Sequence, residues 1–132
     1  APALARTLRR AMTESCMIVR TGDGLERTLA TIDELAGRAS AEARPSADAA
    51  AAAQTALLRH QIALARAFAT AALARAESRG AHFRADFPAE DPAQARPLLV
   101  ELDAEGRPHA RPLAPGDYDD PSRSGAAGGP RP

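Results

Sequence analysis

The feature that most constrains this chain is the run from Ala49 to Arg79, which contains neither proline nor glycine and is dominated by alanine. Such a run reads as one long helix. Its large side chains, Leu57, Leu58, Ile62, Leu64, Phe68 and Leu73, cover more than one narrow face, with alanines between them. A helix with so wide an apolar surface suits the centre of a bundle, contacted from two sides. The small residues let neighbouring helices come close.

Two helices are expected before it. Over residues 3–19, Leu4, Leu8, Ala11, Met12, Ser15 and Val19 share one stripe at three-and-four spacing. The glycines of "RTGDG" (20–24) end that helix. Asp23 stands three residues before Glu26, a capping-box arrangement that starts a second helix with a stripe of Leu25, Leu29, Ile32, Ala36 and Ala39. Residues 40–50 are small, polar and interrupted by Pro45, so they read as a loop in which Ser46 or Asp48 caps the long helix. Gly80 is expected to stop it in the left-handed conformation.

Residues 81–97 read as extended and irregular, because Pro88 and Pro92 oppose a helix. "LLVEL" (98–102) is a strand, "DAEGRP" can turn, and "HARPL" (109–113) can return beside it. From Ala114 onward there is little to bury, and a mobile tail is expected. The fold class is therefore mainly α. A three-helix bundle, spectrin-repeat-like and up-down-up, occupies residues 1–80. An extended segment with a short β-hairpin follows over 81–113, and a disordered tail over 114–132.

Composition narrows the function. The 132 residues suffice for one domain. Basic and acidic residues balance at 17 each, and every basic one is arginine, so neither nucleic acid nor a membrane surface is an expected partner. With alanine supplying much of the 45% hydrophobic content and few aromatics, the core should be thin, and the unit should lean on something larger. No apolar run reaches the roughly 18 residues that span a bilayer, and "APALARTLRR" does not read as a signal peptide. The absence of a starting Met suggests processing or a piece of a longer chain. Cys16 is alone, so a reducing, cytoplasmic setting is expected.

Little catalytic chemistry is legible. His60, His82 and His109 are far apart and lack Cys partners at metal spacing, so no metal site is expected. Cys16, next to Met17, Ile18 and Val19, reads as a buried structural thiol. No glycine cluster has the spacing of a phosphate loop, so no cofactor is expected in this chain. The dense stretch is "ESRGAH". Glu77 and Arg79 are expected in the last helical turn, with Arg79 placed to meet the negative helix end. His82 and Arg84 follow closely. The plain reading is a helix terminator that sets the next segment; the sharper one is a corner that docks a neighbouring surface.

"ARAESRGAHFRADFP" (74–88) resembles the C-terminal segment of the flavoproteins related to succinate dehydrogenase, fumarate reductase and L-aspartate oxidase. In that group a helix ends in Glu-Ser-Arg-Gly, followed by a polar residue and then Arg-x-Asp-Phe/Tyr-Pro. Glu77, Ser78, Arg79, Gly80, His82, Arg84, Asp86, Phe87 and Pro88 match. "LRRAMTESCMIVRTGDGLERTLATIDEL" is similar to the family's preceding helix pair, with Met17 where glycine is usual, and "LLVELDAEGRPHARPL" to its closing strand pair. The likeness runs over about residues 4 to 113. The short tail after the strand pair fits the L-aspartate oxidase type better than the succinate dehydrogenase type.

The resemblance implies a C-terminal helical domain of an FAD-dependent oxidoreductase that converts L-aspartate to iminoaspartate, toward quinolinate and NAD. FAD belongs to the parent enzyme, whose flavin-binding and capping domains become the expected partners. No catalytic or cofactor-binding role carries onto a residue here. Glu77, Arg79, Gly80, His82 and Arg84 become a domain-docking corner. The same domain of a succinate dehydrogenase or fumarate reductase flavoprotein is the alternative, as is a free-standing helical interaction module.

Overall fold

The computed structural model describes residues 2–42 and 48–117. Three helices, α1 (Pro2–Cys16), α2 (Gly22–Ala41) and α3 (Ala49–Ala74), share one core. β1 (Val19–Arg20) lies between α1 and α2, and β2 (Phe83–Arg84) follows α3. These two short strands pair in parallel, Val19 opposite Phe83 and Arg20 opposite Arg84. A 3-10 turn at Pro92–Gln94 leads to β3 (Leu98–Leu102) and β4 (Pro108–Pro112), an antiparallel pair that packs against α3. The fold is mainly α with a small hairpin.

The core takes Leu4, Leu8 and Cys16 from α1; Leu25, Ile32, Leu35 and Ala39 from α2; and Leu58, Ile62, Ala65, Ala69 and Ala72 from α3. Burying each Leu or Ile stabilises by about 1.5–3 kcal/mol. On α3, alanines form most of the inner face, which lets α2 lie close against it. Leu57, Leu64 and Phe68 stay exposed.

Three helix boundaries depart from the sequence expectation, and the start of α3 meets it. α1 stops at Cys16 rather than Val19, because Val19 and Arg20 are drawn into the pairing with Phe83 and Arg84. α2 is capped by Thr21, not Asp23: the extended Thr21 accepts from the Gly24 amide at 3.1 Å, and Asp23 falls in the first turn. Asp48 caps α3 through the Ala50 amide, while Ser46 lies outside the described residues. α3 ends at Ala74, five residues before Arg79, since Arg75 turns extended.

Gly80 has the expected positive φ, +57°, but it is no helix cap. It sits in a tight turn in which Arg79 and His82 exchange both backbone hydrogen bonds, at 2.8 and 2.9 Å. Glycine at the first central position is what such a two-residue turn needs. At the chain's far end, Asp117 accepts a two-pronged pair from Arg111 at 2.8 Å each, which anchors the turn Ala114–Asp117. The remainder of the expected tail, 118–132, lies outside the described residues.

Candidate functional site

The stretch after α3 folds back over the ends of all three helices. Arg84 is the centre of this arrangement and is 2% exposed. Its Nη1 donates to the carbonyls of Ala72, Leu73 and Arg75, each at 3.1 Å. Those belong to the last turn of α3 and its cap, where carbonyls lack helical partners and the helix dipole is negative. Arg84, not Arg79 as the sequence suggested, therefore caps α3. The reason is reach: with the helix ending at Ala74, Arg79 has already left its axis.

The other edge of the Arg84 guanidinium meets Asp86, with Nε to Oδ1 and Nη2 to Oδ2 both at 2.8 Å. Asp86 Oδ2 also accepts from the Gly22 amide at 2.8 Å, the first residue of α2. One ion pair thus places a cation on the C terminus of α3 and an anion on the N terminus of α2, each matching the local dipole. The Arg84 guanidinium holds the Asp86 carboxyl well below the ordinary carboxylate range, assisted by the Gly22 amide and opposed by burial. The Phe87 ring lies 5.1 Å from the guanidinium.

Arg20 repeats the device. Its Nε donates to the Cys16 carbonyl at 2.9 Å, capping α1, and its Nη1 reaches the Ala81 carbonyl at 3.3 Å.

Glu77 has no exposed surface. It accepts from Arg75, from Arg79 through both Nε and Nη2 (3.1 and 3.0 Å), and from the Asp91 amide at 2.8 Å. The Arg79 bonds hold its carboxyl down at about 2, against burial, with the Asp91 amide and Arg75 assisting. Ser78 Oγ accepts from the Arg84 amide at 2.9 Å and donates to the Phe87 carbonyl at 2.8 Å. His82 Nε2 lies 3.3 Å from the Arg75 carbonyl, which can only accept, so that nitrogen carries hydrogen. Burial, reinforced by Arg20, Arg75 and Arg84, holds the imidazole below its usual pKa, opposed by the Arg75 carbonyl.

Of the five residues singled out from sequence, Glu77 and Arg79 are paired, Gly80 and His82 form the adjoining turn, and Arg84 lies in a separate ion pair with Asp86. Sequence reasoning did not single out Arg20, Arg75 or Gly22. Their partners are up to 64 residues away, and no local pattern announces them.

The arrangement is structural chemistry. Its carboxylates are saturated with donors, and burial pushes the Cys16 thiol up. Among the described residues, no group of three or more His, Cys, Asp or Glu is placed to hold a metal ion, and no helix is long and apolar enough to cross a membrane.

Comparison with known proteins fits this geometry. The model of the fumarate reductase flavoprotein C-terminal family matches residues 5–105, from α1 through β3. The chain belongs to that family. The family domain is similar to an L-aspartate oxidase of Rhodospirillum rubrum, 46% identical over 88 residues, which cover 67% of this chain and 27% of the relative. It is also similar to an L-aspartate oxidase of Caulobacter vibrioides, 39% identical over 97 residues, 73% of this chain and 15% of the relative. Among solved structures, a variant of the FrdA subunit of E. coli quinol fumarate reductase superposes with a TM-score of 0.70 at 29% identity, over 77% of this chain and 18% of that one. The domain thus spans about a quarter or less of each of these proteins.

A flavoprotein family raises the question of whether these residues fit a flavin dinucleotide. Its pyrophosphate needs donors that are open to it, and the buried guanidiniums of this corner do not offer them: Arg20, Arg75 and Arg84 are turned onto backbone carbonyls and carboxylates of their own chain.

Proposed function

We propose that this chain is the C-terminal helical domain of an FAD-dependent L-aspartate oxidase, a cytoplasmic enzyme that converts L-aspartate to iminoaspartate on the route to quinolinate and NAD. The observation that carries this reading is the 46% identity to the R. rubrum L-aspartate oxidase. FAD would be held by the flavin-binding domain of the parent and would supply the oxidising chemistry there; no residue of this chain takes part in that step. The domain's own part is mechanical. Its helices (residues 1–80) and hairpin segment (81–113) pack against the flavin-binding and capping domains.

In this reading Glu77 and Arg84 act from inside. They hold the segment 75–91 in one shape, so that Arg79, Gly80 and His82 meet the neighbouring domain at its surface. A half-exposed Arg79 whose carboxylate partner is buried suits that role, because its orientation is set before docking.

The superposition on FrdA favours a second reading, the same domain in a flavoprotein acting on succinate or fumarate. The intact enzyme separates them. Aspartate-dependent flavin reduction, reversed by oxygen or fumarate, is expected; turnover of succinate with none of aspartate would install the second reading. Arg79→Ala is expected to lower thermal stability of the intact enzyme while leaving the chemical step nearly unchanged. An unchanged melting temperature with collapsed turnover would contradict the docking role.

A further inference from the structure

We propose that the exposed stripe of α3 formed by Leu57, Leu64 and Phe68 is the seat of the remaining polypeptide of the parent flavoprotein. The proposal rests on the reading above, that this chain is one domain of such a protein, and it adds the surface at which the domain is held. The spacings of seven and four residues put the three side chains on one side of α3, within roughly 40° at about 100° per residue. They are 57%, 71% and 47% exposed. The inner face of the same helix, with Leu58, Ile62 and Ala65, is already covered by α1 and α2. The stripe lies beside that covered face, and an exposed apolar surface of this kind marks an interaction site.

The surface around the stripe is shaped to receive side chains. Two crevices of about 210 and 370 Å³ lie between α3 and α1, the first lined by Leu57 and Ala5, the second by Leu64 and Met12, with Arg9 and Gln61 at both. Beyond Phe68 a hollow of about 300 Å³ opens, walled by Ala71, Leu98 and His82. The stripe therefore runs directly into the corner that carries His82.

The size of the missing protein selects the occupant. The domain makes up 27%, 15% and 18% of the relatives it matches, so most of such a polypeptide lies elsewhere, at a local concentration that a second copy cannot equal.

The test uses the full-length flavoprotein with Leu64→Cys, reacted with a maleimide and read by peptide mass, which separates the new thiol from Cys16. Labelling of the native protein is expected to be at least about tenfold slower than in urea. Labelling at the urea rate would overturn the assignment, as would protection that disappears on dilution, the mark of a second copy. If the variant does not fold, hydroxyl-radical footprinting of the unmodified protein replaces it: Leu64 and Phe68 oxidised as fast as in the unfolded chain would be equally fatal. Flavin content and aspartate turnover are measured on the same samples. Unprotected Leu64 in an active, flavin-bearing enzyme sinks the stripe alone, whereas an enzyme without flavin or turnover sinks the functional reading.

Discussion

Arg20 and Arg84 are register partners in the parallel β1–β2 pair, and each caps the C terminus of a different helix, α1 and α3. Two buried guanidiniums side by side would repel if they faced each other bare. Here each is surrounded by carbonyl oxygens and lies near a ring, Phe68 at 5.7 Å and Phe87 at 5.1 Å. Arg84 adds the carboxylate of Asp86. The outward members of the same pair, Val19 and Phe83, are exposed. The alternation turns two residues per strand into a clamp on three helix ends.

Removing the clamp should be costly. Arg84→Met strands the carbonyls of Ala72 and Leu73, leaves that of Arg75 with His82 only, and takes the guanidinium from Asp86, which keeps its bond from the Gly22 amide. A loss of about 2–4 kcal/mol is expected from buried acceptors left unmade. Arg20→Met, which strands fewer acceptors, should lose less. Urea midpoints of the two variants check the order; equal losses would show that the two caps are not the source.

Acid should weaken the corner in two stages. His82 is held below its usual 6.5, so the unfolded chain binds more protons and stability falls as pH drops through that value. Glu77, lowered from 4.5 to about 2, contributes stability that is full above 4.5 and is lost as pH falls toward 2. Asp86 acts in the same direction. Urea midpoints recorded against pH should show both stages, and His82→Asn should remove only the first. A flat profile between neutrality and the carboxylate range would contradict the shielding of this part-buried histidine.

Gly80 should tolerate Asn and resist Val. An added Cβ would meet nothing within 4 Å, so the difficulty is the φ of +57° alone. Left-handed backbone costs an ordinary residue about 1–2 kcal/mol, with Asn the mildest and β-branched residues the worst. Thermal melts of the two variants give the comparison; equal behaviour would mean that the turn has relaxed.

Gly37 and Gly22, both in α2, should respond differently to alanine. Gly37 is exposed and open, so Gly37→Ala should stabilise by about 0.5–1 kcal/mol. At Gly22 a Cβ would stand 3.1 Å from Asp86 Oδ2 and 3.2 Å from Arg84 Nη2, inside the ion pair. Gly22→Ala should forfeit the gain. Chemical denaturation of both variants decides it, and an equal gain at Gly22 would show the ion pair to be freely mobile.

Much of the domain is written locally. The run without proline or glycine makes α3, the three-and-four spacing of Leu4 and Leu8 or of Leu25 and Ile32 sets the inward stripes, and Asp48 marks a helix start; periodicity and caps act over a few residues, so one chain displays them. The strand pair at 98–102 and 108–112 and the family motif at 77–88 are legible for the same reason. What one chain does not display is the partner of a charge. That α3 stops at Ala74, that Arg84 and not Arg79 closes it, that Asp86 and not a residue of α2 meets the Gly22 amide, and that Arg20 belongs to the same clamp all follow from contacts between residues apart in sequence. An arginine's reach and its five donors allow many partners, and only the packing of the three helices brings one set of carbonyls within range.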